Sequence, residues 1–451
     1  MDATGGDTSV ADGSNTPESG GHDSGSPSDA GDAGAVEAGA IEGGLDGSTG
    51  SDAGPDAGSG CISSIFGDYA VTAAGHVFAT LGNSDSSKWV PVTVAGGGNL
   101  DHVVSGVASP NFGCAMRDSG TVWCWTNTPA ASTLGKTSGE MGDGTTVWPA
   151  QPYVATQVQI QPSGAGPTYL TGIASLSDSG ENAYGRPFCA VDTGGHVWCW
   201  GPTHPNGGGG TLLINTAGAS YSAPYAVMVA NSAKPGDLLT GVSQVSAGSN
   251  QICVILTTGQ VKCWGSDAYG ELGTATWDGG SANDSDYPLP VPGLPASPAP
   301  SQIWVGNGTN CVLIAGEVYC WGSAGFGETG TGVPPGQHCL GVFHWCEPAG
   351  NPVVTALSDG GVGGALTGVK DVYFGYSFGC AITTSGGLYC WGAGPSGIVL
   401  AEPFPLAAGG TPTNVTHVSS NTTGDFGRVN FSEANNVFYA GASSHSTITC
   451  Q

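Results

Sequence analysis

One phrase recurs along the chain with its cysteines in fixed register. It runs from Cys114 through Asp118-Ser119-Gly120 to Val122-Trp123-Cys124-Trp125, and returns at Cys189 to Gly201, Cys253 to Gly265, Cys311 to Gly322 and Cys380 to Gly392. Two degenerate copies, Tyr69 to Ala79 and Val429 to Tyr439, flank these five, making seven units of about 56 residues over 61–451. A second phrase precedes the units, as in Leu239 to Gly248 and Leu366 to Gly375, and its alternating apolar positions supply one more strand each. A period near 50 built from strand and turn residues specifies small sheets in a ring rather than a stack of helices.

Counting outward from each turn places the cysteines of a unit opposite one another. A three-residue turn at 118–120 pairs Arg117 with Thr121 and Cys114 with Cys124, and the shorter fifth unit, turning at Ala315-Gly316, still sets Cys311 against Cys320. Directly opposed residues at a non-hydrogen-bonded position have Cα atoms about 4.5 Å apart, within reach of a disulfide. The expected hairpin bridges are therefore Cys114–Cys124, Cys189–Cys199, Cys253–Cys263, Cys311–Cys320 and Cys380–Cys390. Cys61 and Cys450 remain at the two ends of the repeat body and are expected to join them. Cys339 and Cys346 share an insertion with His338 and His344, a set open to a disulfide, a zinc or copper site, or free thiols.

Residues 1–60 are a different material, with 16 Gly, 12 acids and no Lys, Arg, Cys or aromatic residue. Such a stretch buries too little apolar surface to offset chain entropy and reads as a disordered acidic Gly/Ser/Ala/Asp-rich tether ahead of a folded body at 61–451. The whole chain carries −27; removing 12 of 35 acids leaves 23 against 8 bases, or −15 on the body. Nucleic acid and anionic membranes are thereby disfavoured as partners. Met1 runs into Asp2-Ala3-Thr4 with no basic start and no apolar run, yet seven potential bridges imply an oxidising compartment. The expectation is an exported protein, extracellular or on the outer cell surface, with a lipoprotein leader upstream of Met1 as one form of it.

Val242-Ser-Gln-Val-Ser-Ala-Gly248, Cys253 to Cys263-Trp264-Gly265 and Tyr269-Gly-Glu-Leu-Gly273 together resemble the repeat of the regulator of chromosome condensation family. The resemblance covers essentially all of 61–451 and implies an all-β, seven-bladed β-propeller of four-stranded antiparallel blades. Departures are Thr126 for the Gly after Cys-Trp, Phe326 to Gly330 in the fifth unit, and insertions after Trp125, Trp200 and Gly322. Nuclear members exchange nucleotide on a small GTPase and bind chromatin, which the acidic body opposes. Disulfide-rich secreted members imply instead a surface-binding protein or an inhibitor of a hydrolase such as a β-lactamase.

No catalytic constellation or cofactor motif stands out. Gly375-Tyr-Ser377-Phe-Gly379 has nucleophile-elbow spacing, but a repeat strand follows where a helix is required. Gly325 to Gly330 has dinucleotide spacing but runs into Pro334-Pro335. Asp278, Asp284 and Asp286 share an acidic loop that calcium could use, without EF-hand spacing. The tryptophans after cysteine recur and read as packing. The irregular aromatics Trp148, Tyr153, Tyr184, Trp277, Tyr287, Phe343 and Trp345, with Tyr169, Tyr221 and Tyr225, are candidates for a ligand face or for packing within loops. The leading expectation is a monomeric, non-enzymatic propeller binding an extracellular protein or glycan. A lyase or hydrolase using the central channel is the alternative and would need convergent His, Asp or Glu side chains on inner strands; His76 and His196, at equivalent turn positions, read instead as a shared turn surface.

Overall fold

The computed structural model describes residues 62–67, 69–80, 89–109, 111–127, 139–161, 166–177, 187–202, 222–248, 250–274, 283–324, 327–330, 349–354, 365–374, 378–392, 402–403, 414–420, 429–433, 436–440 and 447–449. The expected 1–60 tether and Cys61–Cys450 bridge lie outside them. Strands form where the period-two pattern of the repeat runs, and they pair into seven sheets in chain order. Sheets 1, 4, 5, 6 and 7 are four-stranded antiparallel meanders at 62–91, 242–290, 302–354, 369–403 and 415–449.

Sheets 2 (103–157) and 3 (173–228) depart from the four-stranded antiparallel expectation. Thr93–Val94 joins sheet 2 in parallel with Val154–Gln157, and Gln159–Ile160 joins sheet 3 in parallel with Ser222–Met228, with Thr168–Tyr169 beyond it. The cause is continuity of the chain. Trp89–Pro91, the outer strand of sheet 1, runs straight on into Thr93–Val94, and Val154–Gln157 runs on into Gln159–Ile160. Each outer edge so covered no longer offers unpaired backbone to another chain.

First strands meet first strands around the molecule. Ile62–Phe66 packs beside Val103–Ala108, which packs beside Ile173–Leu176, while Val242–Ala247 meets the second strand of sheet 3, Phe188–Asp192. Gln302–Val305, Val369–Phe374 and Val415–Ser420 follow, and the last returns to Ile62–Phe66, so the sheets form an all-β propeller. Side chains of one sheet satisfy the inner backbone edge of the next. Gln244 acts as a strand residue would, accepting from Ile303 N (3.2 Å) and donating to Ser301 O (2.9 Å), and Ser246 Oγ accepts from Val305 N (2.9 Å).

The turn glycine is a second fastener. Val103, Ile173, Val242, Val369 and Val415 donate their N–H groups to the carbonyls of Gly75, Gly120, Gly195, Gly316 and Gly386, each in the hairpin of the preceding sheet. Gly75 and Gly386 have φ of +77° and +82°, and a Cβ on either would fall 2.7 Å from the neighbouring backbone. Only glycine meets both demands. Within the hairpins the five expected cysteine pairs are disulfides, in direct register and with Cα atoms 4.0 to 4.1 Å apart. Eight of their ten cysteines, all but Cys380 and Cys390, lie in the apolar wedges between sheets, which together make up the core.

Candidate functional site

Trp125, Trp200, Trp264, Trp321 and Trp391, each following a hairpin cysteine, are wholly buried in the wedges. Among the described residues, Trp200, Trp321 and Trp391 reach across to the preceding sheet. The indole N–H groups of Trp200, Trp321 and Trp391 donate to the backbone carbonyls of Glu140 (3.1 Å), Glu271 (2.9 Å) and Glu328 (2.6 Å). These carbonyls belong to one repeated turn, Gly139-Glu-Met-Gly142, Gly270-Glu-Leu-Gly273 and Gly327-Glu-Thr-Gly330, whose last glycine has φ of +62° to +67°. A Cβ on Gly142 or Gly273 would press within 3.1 Å of the indole, so the glycine lets the ring seat. An indole buried this way contributes both its area and its one donor.

The turn of sheet 4 also holds carboxyls out of water. Glu271 and Asp267 are fully buried. Asp267 Oδ1 accepts from Leu272 N (2.8 Å), Asp284 Oδ1 from Asp267 N (2.7 Å) and Glu271 Oε2 from Tyr269 N (2.6 Å). Burial, with the neighbouring Asp267 and Asp284 carboxylates, pushes the Glu271 carboxyl up to about 8 against the pull of the Tyr269 N–H. Asn310 of sheet 5 closes the seam, donating to Glu271 O (2.6 Å) and accepting from Gln251 Nε2 (3.0 Å).

At the hairpin ends a different position repeats. The residue before the second cysteine, Trp123, Trp198, Lys262, Tyr319 or Tyr389, is half-buried, as is Phe78, which precedes Ala79 at the same place in the cysteine-free sheet 1. Each is held by a polar or charged neighbour in four of these hairpins. Arg117 lies over the Trp123 ring, 4.7 Å from its centroid, with Nη2 2.8 Å from Asp101 Oδ1. Trp198 Nε1 donates to Asp192 Oδ2 (2.9 Å), Lys262 Nζ to Asn231 Oδ1 (3.1 Å), and Tyr319 Oη to Glu317 Oε2 (3.2 Å). Asp192 also accepts from Gly194 N and His196 N at 2.9 Å, and His196 Nδ1 stands 3.1 Å from both its oxygens. Burial works against the Asp192 charge, but the bonds from Trp198, His196 and Gly194 outweigh it and hold the carboxyl below its ordinary range.

The expected ligand-face aromatics scatter. Trp148 is corrected to a core residue: it keeps 9% exposure and stacks on Phe112, ring centroids 5.1 Å apart. Tyr153 is half-buried against the wedge between sheets 1 and 2, and Tyr287 is half-buried on an outer strand. Tyr225 covers Gly144, while Tyr169 stays 45% exposed. An insertion that crosses to the next sheet needs apolar side chains to seat it, which accounts for the inward setting of Trp148 and Tyr153. Tyr184, Tyr221, Trp277, Phe343 and Trp345 lie outside the described residues, as do Ser377, His338, Cys339, His344, Cys346 and Asp278. Asp284 ties down the sheet 4 turn and Asp286 is exposed; among the described residues no three His, Cys, Asp or Glu side chains are grouped to hold a metal.

Residues 242–271 and 369–398 match the regulator of chromosome condensation (RCC1) repeat. Over 233 residues the chain is 27% identical to the E3 ubiquitin-protein ligase HERC2 of Homo sapiens and, to the same extent, of Mus musculus. That match takes in 51% of this chain and 4% of the ligase. Among solved structures, Prp20p from Saccharomyces cerevisiae is similar with a TM-score of 0.52 at 17% identity, covering 76% of each chain. A structure of Kap60 bound to yeast RCC1 (Prp20) gives 0.54 at 17% identity, covering 80% of this chain and 77% of that one. Human WBSCR16 gives 0.51 at 14%, covering 75% and 77%. These identities speak for the fold. With the repeat matched in sheets 4 and 6 and its turns, tryptophans and glycine fasteners recurring around the propeller, the chain is a β-propeller that carries regulator of chromosome condensation (RCC1) repeats.

Proposed function

We propose that this chain is a seven-bladed, non-enzymatic binding propeller that works outside the reducing cytoplasm and engages a protein partner through its hairpin rim. The observation that carries the reading is the repeated half-buried position at the hairpin ends, where Trp123, Trp198 and Tyr319 present ring surface beside fixed polar neighbours and Tyr389 repeats the position. Aromatic side chains held rigid lose little entropy when a partner covers them. Five disulfides in register support an oxidising surrounding, and export to the extracellular space or outer cell surface is the simplest route to one. The acidic stretch 1–60 would then act as a tether.

The ligase activity belongs to HERC2, and the binding of Gsp1p and histones to Prp20p. A charge of −27 argues for an independent partner here rather than for nucleic acid. Cross-linking of the whole chain in its native envelope, followed by mass spectrometry, tests the reading. One protein recovered in fixed proportion, with cross-links at the hairpin ends, is the expected result. Recovery of no protein, or turnover of a glycan panel by the purified chain, overturns it.

A further inference from the structure

We propose that the sheet 3 hairpin is a receptor for an arginine side chain of the partner, with the Trp198 ring as its floor and the Asp192 carboxylate as its wall. The inference rests on the reading of the propeller as a protein-binding scaffold and gives that partner a chemistry. The template lies one sheet away. In sheet 2 the same place is filled from within, by the Arg117 guanidinium over Trp123 with Asp101 as counter-charge. Ring face and carboxylate together form a cradle for a planar cation.

The two hairpins correspond residue for residue. Trp123 pairs with Ala115 and Trp198 with Ala190, and Cys114–Cys124 and Cys189–Cys199 sit one step further along. Arg117 and Asp192 occupy the same position at the start of the turn, Thr121 and His196 the same position at its end. Exchanging Arg for Asp removes the internal cation and brings a carboxylate to the edge of the ring instead. Trp198 is fixed by its bond to Asp192, and no side-chain cation of the described residues lies over it.

Asp192 keeps its charge, as the bonds from Trp198, His196 and Gly194 dictate, and 17% of its side chain remains exposed beside a His196 that is 36% exposed. Sheet 4 has Lys262 in place of a ring, and sheet 5 sets the smaller Tyr319 ring against Glu317, so the indole with a carboxylate at its edge is particular to sheet 3 among these hairpins. A body with 23 acids and 8 bases favours approach of a basic segment over an acidic one.

The test follows the indole N–H signals of the whole chain by NMR at physiological ionic strength, adding a short capped peptide with one arginine or its neutral citrulline isostere. The expected result is a saturable shift of the Trp198 signal with arginine and almost none with citrulline. Asp192→Asn, which can still accept hydrogen bonds in the turn, should weaken binding about tenfold. Arg117→Gly empties the sheet 2 cradle and should add a second saturable shift at Trp123. Unmoved signals from the buried tryptophans report that each variant is folded. A Trp198 signal that ignores arginine, answers citrulline equally, or is indifferent to Asp192→Asn overturns the proposal. The scaffold reading fails separately: arginine binding at Trp198 with no partner recovered by cross-linking counts against the scaffold alone, and a partner whose recovery survives Trp198→Ala counts against this site alone.

Discussion

The seam between sheets 2 and 3 and the seam between sheets 4 and 5 use one fastener and bury different chemistry around it. In the first, Trp200 donates to Glu140 O, stacks on Phe188 at 6.1 Å and 26°, and lies among Met141, Val158 and Ala226. In the second, Trp321 donates to Glu271 O, but the residue paired with it is Asn310 where sheet 3 has Phe188. Behind Asn310 stand Gln251, Glu271 and Asp267, all fully buried. The repeat therefore specifies a ring, a donor and a carbonyl, and leaves the filling of the wedge free. An apolar filling draws its stability from area, and a polar one from every buried group finding its partner.

Removing the shared fastener should have the largest effect and should separate the seams. Trp200→Ala and Trp321→Ala each delete a wholly buried indole, at about 3–5 kcal/mol by denaturant unfolding. Trp321→Ala is expected to cost more, because it also opens the carboxyls of Glu271 and Asp267 to an unpaired wedge. Equal losses would mean that the polar filling of the second seam is energetically inert.

The ring, the hairpin register and the five cross-strand bridges were legible because each follows from counting along a repeat. Sheet 1 was legible as a degenerate copy, and Tyr69 now stands where the cysteine would be, its ring 5.1 Å from Trp125. The added parallel strands were not, since they arise from the path between units and leave no period. The Trp-to-Glu fastener had a signal in the sequence, the phrase Gly-Glu-x-Gly at 139–142, 270–273 and 327–330, but its partner is about 50 to 60 residues distant and nothing local links them. The hairpin-end aromatics are not set apart in the sequence from the aromatics of the insertions, of which Trp148 is core. Half-burial at a repeated position becomes visible only when the neighbouring sheet is in place.

The hairpin bridges give the next effect. Replacing Cys253 and Cys263 together by Ala removes a crosslink over a short loop and should cost about 2–3 kcal/mol, with the fold retained. The pair Cys189 and Cys199, which sits in the wedge behind the apolar seam, should cost the same, because a bridge within a hairpin does not depend on what fills the next seam. A difference beyond about 1 kcal/mol, measured as a shift in denaturation midpoint at unchanged slope, would show that bridge and seam are coupled.

Acidity should distinguish the seams without any loss of packing. The Glu271 carboxyl, at about 8 when folded against an ordinary 4.5, keeps a proton that the unfolded chain has released. Its contribution is complete below about pH 4.5 and declines as pH rises toward 8, so stability should fall across that window. Glu271→Gln cannot titrate and should flatten the decline. The urea midpoint of the parent and of this variant, followed from about pH 5 to about pH 8, should therefore diverge steadily. Parallel curves would place the titrating group elsewhere.

The smallest expected effect comes from converting the polar filling to the apolar one. Asn310→Ile alone strips Gln251 Nε2 of the nearer of its two acceptors, leaving only Gly306 O at 3.4 Å, and Glu271 O of one donor in a buried wedge, at about 1–3 kcal/mol. Adding Gln251→Leu removes the stranded amide, and the pair should recover to within about 1 kcal/mol of the parent, since replacing both members of a buried hydrogen bond with shapes that pack is close to neutral. The coupling from a double-mutant cycle, on the order of 1 kcal/mol, then measures how far the polar seam depends on completion rather than on polarity itself. Additive losses would mean that Gln251 and Asn310 act independently, and that the second seam is held, like the first, by its tryptophan.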